Sequence, residues 1–143
     1  MLILNKILLM LHFVGLAMGL AVGFANMAMV AVMSKAAPAE RAILGRFPLV
    51  MSKVGKIGLA LLLVTGVAMV YTRWAGFSSI VFWTFHVKLT AVVLLVIVVG
   101  YISMLERKLK KGDQTAMLKI QKAGPVAFAL VLVAVIFAVL TFN

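Results

Sequence analysis

The chain of 143 residues is 66% hydrophobic and 12% charged, with a mean hydropathy of +1.24; a soluble fold has too little interior to hide that much apolar surface. Its formal net charge of +11 comes from 14 basic side chains set against 3 acidic ones, but the cations flank apolar runs and form no aromatic-interleaved basic surface, which speaks against nucleic acid and for membrane lipid phosphates as their partners. Cysteine is absent, so disulfides, thiolate metal sites and cysteine chemistry are excluded.

The first apolar run, Ile7 to Met33, is uncharged and longer than a signal-peptide core, and reads as a retained membrane span over about 7–33. Ser34 to Lys56 is a polar stretch containing Pro38, Glu40, Arg41 and Arg46, a loop with room for one short interfacial helix. A second run, Ile57 to Tyr71, is slightly short, so its helix is expected over about 55–72 with Lys53 and Lys56 snorkelling at its start. A turn around Gly76 follows. The third span, about 80–105, ends in the charged string Glu106 to Asp113 and carries Lys88 inside it. The fourth, about 124–142, opens at Pro125, which suits a first helical turn because its missing N–H costs little there. The expected fold is all-α: one transmembrane domain over 1–143, a polytopic four-helix up-down bundle.

Eleven of the 14 basic residues fall in the loops after the first and third spans, against Lys6 and Arg73 on the other side. Cytoplasmic loops are the ones rich in Lys and Arg, so both termini are expected to face outward, on the periplasmic side of a bacterial inner membrane.

Ionisable residues inside a bilayer are costly and are functional candidates for that reason. His12 and His86 lie about five and six residues in from the outer ends of the first and third spans, roughly 8–9 Å below the same surface at 1.5 Å per residue. Those spans are diagonal neighbours in an up-down bundle, so the two imidazoles suit the axial faces of one haem iron, the alternative being that each is a structural histidine hydrogen-bonded to a carbonyl or hydroxyl of a neighbouring helix. Gly15, Gly19 and Gly23 share a helical stripe with His12 and offer a smooth face for a flat ring, or a ridge for close helix contact. Lys88 has no carboxylate on its side of the membrane, since Glu40, Glu106 and Asp113 all belong to the inner side; it is expected to snorkel to a lipid phosphate, to be neutral, to hydrogen-bond to carbonyls, or to pair with an anionic ligand such as a haem propionate or porphyrin carboxylate. Trp74, Phe82 and Trp83 read as an interfacial aromatic belt, the methionines of the first span as packing, and Asn26 as an interhelical hydrogen-bond partner. No paired buried carboxylates, nucleophile elbow or phosphate-binding glycine loop is present, which argues against a pump or a hydrolase.

Phe85-His86-Val87-Lys88-Leu89, with Leu11-His12-Phe13 near the start, the basic run after the third span and Pro125 at the fourth, resembles the HemJ-type protoporphyrinogen oxidases, small four-helix bacterial membrane proteins. The chain departs from that family's pattern at Val98-Val99-Gly100, where a further histidine is usual, and at Ala123-Gly124-Pro125, where an Asn-Glu-Pro is usual. The resemblance implies one haem b, held by His12 and His86 with Lys88 near a propionate and Gly15 and Gly19 against the ring. It further implies oxidation of protoporphyrinogen IX, and the chain is expected to carry redox chemistry of that kind: electron transfer, or oxidation of a porphyrinogen or a quinol at the haem edge. The rival expectation is a non-catalytic accessory subunit, set by its glycine ridge into a larger respiratory or photosynthetic membrane complex, or a homo-oligomer.

Overall fold

A computed structural model describes residues 2–74, 83–113 and 115–142, and these form five helices: α1 Leu2–Lys35, α2 Pro38–Leu44, α3 Phe47–Trp74, α4 Trp83–Lys110 and α5 Thr115–Phe142. All but α2 are long and apolar enough to cross a membrane, and the chain is a multi-pass membrane protein with an all-α four-helix bundle. Large apolar side chains such as Phe13, Val64, Ile97 and Val139 are exposed all around it, as a bilayer solvent demands.

Each span is longer than hydropathy alone indicates. α1 runs back through Lys6, and α3 begins at Phe47, so that Lys56 stands inside the helix. The fourth spanning helix starts at Thr115, which corrects the expected start at Pro125: the proline lies well inside α5. An interior proline cannot donate to the carbonyl four residues back, here that of Gln121, a defect that transmembrane helices accommodate through neighbouring groups. The expected start of the third span at residue 80, the turn around Gly76 and Phe82 lie outside the described residues.

The short connections are built from local chemistry. Pro38 opens α2 while Glu40 accepts a hydrogen bond from the Ala37 N–H at 2.9 Å, one half of a capping box. α4 ends at Gly112, whose φ of +98° is the left-handed conformation that glycine tolerates; the Asp113 N–H then reaches the Lys108 carbonyl at 3.2 Å. Asp113 Oδ1 accepts from both the N–H (3.0 Å) and the hydroxyl (2.6 Å) of Thr115, which ties down the first turn of α5 and holds the Asp113 carboxyl below its ordinary range.

α1 lies along α3, and α4 along α5; α1 also meets α5, while α3 and α4 touch only sparsely. The bundle is thus two tight antiparallel pairs joined across a looser seam, with α1 and α4 on one diagonal. Among the described residues the buried apolar side chains are Val70, Ala91, Leu95, Leu105, Ala116 and Val131, and the buried polar one is Thr65.

Candidate functional site

The α1–α3 pair is held by a crossing of two glycines. A Cβ on Gly15 would stand 2.8 Å from the Gly58 carbonyl oxygen, and one on Gly58 would stand 2.9 Å from the Gly15 carbonyl oxygen. Only hydrogens permit backbones this close. Gly23 is likewise filled, because a Cβ there would meet the ring of Phe128 at 2.0 Å. Of the stripe, Gly19 alone borders open space. Gly15 and Gly23 therefore serve helix contact, and the smooth face expected for a flat ring is reduced to the surroundings of Gly19.

One turn outward from Gly15, the close crossing brings His12 against α3. Its Nδ1 lies 2.9 Å from Thr65 Oγ1, and its Cε1 would be 3.5 Å from a Cβ on Gly66, so the imidazole rests on the surface that Gly66 leaves bare. The Thr65 hydroxyl has a single proton, which it donates to the Leu61 carbonyl at 2.6 Å. A hydroxyl whose proton is on Leu61 accepts from His12, the arrangement in which Nδ1 carries the hydrogen and Nε2 the lone pair. This is the tautomer in which a histidine bonds a metal through Nε2 while a neighbour fixes the other nitrogen. Thr65 has the attributes of a positioning residue, and the sequence shows it only as one polar residue among several within the spans.

Lys88 of α4 is half-buried. His86, two residues earlier, is exposed, with its ring edge-on to that of Phe85 at 6.3 Å between centroids. Two residues along an α-helix turn through about 200°, so Lys88 and His86 occupy opposite faces. The matched depth expected of the two histidines is compatible with the fold; His12 faces α3, and the His86 side chain is exposed at the surface of the bundle. Asn5, two turns outward from His12 on the same side of α1, has a buried Oδ1 with no hydrogen-bond partner among the described residues.

A second polar group lies in the inner half of the bundle, where Lys56 of α3 donates to Glu106 Oε2 of α4 at 2.5 Å. The ion pair spans the seam between the two helix pairs. It replaces the snorkelling expected of Lys56, because a carboxylate within reach competes better for the ammonium than distant headgroups do. Asn26 does not make the expected interhelical bond through its carbonyl oxygen; that atom is buried without a partner among the described residues, as is Glu106 Oε1. Trp83 is exposed at the outer end of α4 and stacks edge-on with Phe137, in keeping with an interfacial belt.

Compared with protein-family models, with curated proteins and with solved structures, the chain matches none.

Proposed function

We propose that the chain is a haem b-binding redox protein of the bacterial inner membrane, with both termini periplasmic and with a porphyrinogen or a quinol as its reductant. The observation that carries this reading is the His12 site. An imidazole held against the Thr65 hydroxyl through Nδ1 would present its Nε2 lone pair to an iron, and Lys88, half-buried on α4, is the cation that would serve a propionate carboxylate. Haem, when bound, supplies the one-electron chemistry; the chain supplies the ligand, its orientation and a water-poor setting. The motif resemblance to HemJ-type oxidases points the same way, and the basic inner loops support the orientation.

The residues fit an imidazole-held haem at His12 and fit less well at His86, which faces away from Lys88. His12 is thus the ligand on which the reading rests, and the spectrum decides the second. The rival role, an accessory subunit docked by a glycine ridge, is weakened because Gly15 and Gly23 are already covered within the chain.

The test is an air-oxidised against dithionite-reduced absorption spectrum of the detergent-purified protein after haem-supplemented expression. Sharp reduced α and Soret bands that disappear in His12→Ala support the reading. His86→Ala is expected to convert a six-coordinate low-spin spectrum to five-coordinate high-spin if His86 ligates, and to leave it unchanged if it does not. A featureless spectrum of the unmodified protein would overturn the proposal.

A further inference from the structure

Between the four spanning helices, in the inner half of the bundle, lies a cavity of about 380 Å³, within the range of roughly 300–1,000 Å³ typical of small-molecule sites. Its upper end reaches Leu62, one turn below Thr65, and its lower end reaches Pro48 and Met117 near the starts of α3 and α5. Gly19, the open glycine of the stripe, borders it. The walls are apolar except at one level, where the Lys56–Glu106 pair, Asn26, Gln121 and Ser52 gather.

Two features of that level define a ligand. First, two of its acceptors, Asn26 Oδ1 and Glu106 Oε1, are buried without partners among the described residues, and Pro125 has no N–H to offer the Gln121 carbonyl. Unmet acceptors in a low-dielectric interior are costly, and a molecule bringing O–H groups to them recovers that cost. Second, the apolar wall is suited to a flat ring. Phe128 lines the cavity, edge-on to Phe24 at 5.0 Å between centroids, and Met27, Met29, Met33 and Met117 add flexible, polarisable thioethers to its lining that favour aromatic edges and adapt their shape.

We infer that this cavity is a binding site for a planar hydroxyaromatic amphiphile of the quinol class, whose O–H groups donate to Asn26 and Glu106. The inference concerns a site remote from His12, since 14 residues of α1 separate His12 from Asn26, about 21 Å along the helix. It stands or falls independently of the haem reading.

The test is equilibrium binding, under anaerobic conditions, of a decyl-substituted benzoquinol and of its oxidised quinone to the full chain in phosphatidylcholine nanodiscs, with empty discs as the partition control. The quinone keeps ring and tail but has no donor. The quinol is expected to bind saturably at one site and at least about tenfold more tightly than the quinone, the size of one buried hydrogen bond. Asn26→Leu and Glu106→Gln should each weaken quinol binding about tenfold. Val99→Phe, which fills the cavity, should abolish it, while Val93→Phe on the exposed face of α4 leaves it intact. Glu106→Gln also breaks an ion pair and risks unfolding, whereas Asn26→Leu removes an orphan acceptor and should raise the unfolding temperature even as it lowers affinity. Equal affinity for quinol and quinone, binding that survives Val99→Phe, or no saturable binding in the folded protein would each overturn the inference. Quinol binding retained in His12→Ala keeps this outcome separate from any haem spectrum.

Discussion

Gly15→Ala is the sharpest single perturbation of the outer site, because its effect follows from the distances around that glycine. The new methyl would sit 2.8 Å from the Gly58 carbonyl oxygen, 3.1 Å from Leu62 Cγ and 3.2 Å from the Leu62 nitrogen. Two of these three atoms are backbone, so relief has to come from the helices themselves. Restoring an ordinary contact of about 3.4 Å requires α1 and α3 to separate by about 0.6 Å at the crossing. One turn away the same displacement takes the His12–Thr65 hydrogen bond from 2.9 Å to about 3.5 Å, the limit at which such a bond ceases to count. The expected cost is about 1–3 kcal/mol for overpacking a tight interface. Gly19→Ala is the internal control: it lies on the same stripe, meets nothing within 4 Å, and should be neutral or stabilising by roughly 0.5–1 kcal/mol through helix propensity. Reversible unfolding in mixed dodecyl sulfate micelles, followed by far-ultraviolet circular dichroism, reads the stabilities, and histidine 15N chemical shifts read the Nδ1–H tautomer. If Gly15→Ala unfolds at the same dodecyl sulfate fraction as the unmodified chain with the His12 resonances unmoved, the close glycine crossing is not what positions His12.

Three further outcomes follow from the same geometry. Thr65→Val keeps the shape and removes the acceptor for His12, so it should cost about 1 kcal/mol and shift the His12 15N pattern towards a mixture of tautomers; an unchanged pattern would remove Thr65 as the positioning residue. Lys56→Met strands the mostly buried Glu106 carboxylate and should destabilise by about 1–3 kcal/mol, allowing for the partial exposure of the lysine, whereas Lys56→Met combined with Glu106→Leu should recover most of the loss; a double variant no better than the single would show that the pair's charge is not the issue. Asp113 should titrate below its ordinary 3.8, because the Thr115 hydroxyl and N–H favour the carboxylate. A depressed value means that the cap is fully effective above about pH 4 and is lost as pH falls through the folded-state value, and a 13C titration midpoint at or above 3.8 would refute the cap.

The four spans and their order were legible in the hydropathy because burial in lipid leaves a continuous apolar run whatever the helices do to one another. Their ends were less so. α3 continues back to Phe47 through a segment with two lysines, since one of them, Lys56, finds Glu106 across the seam, and a distant partner leaves no trace in a local window. Pro125 was misplaced for a related reason: the rule that puts proline in a first turn describes helices in water, while a membrane helix carries one in its middle. At the outer site, sequence gives depth by counting residues but gives direction only relative to neighbours on the same helix. That relative direction, two residues and about 200° between His86 and Lys88, was already readable and sets them on opposite faces. The partner of His12 and the covering of Gly15 depend on Thr65 and Gly58, which are far away in the chain, and no periodicity in α1 discloses them.

The division into two antiparallel pairs bears on how the protein is made and how it comes apart. α1 and α3 are complete before α4 is synthesised, and their glycine crossing needs nothing from the second half of the chain. The first hairpin can therefore close in the bilayer while the ribosome is still working, and the second docks onto it afterwards. Pulled from its ends, such a molecule should yield in two mechanical events, the α4–α5 hairpin and the α1–α3 hairpin each unzipping as a unit, with the Lys56–Glu106 clasp as the first link to part.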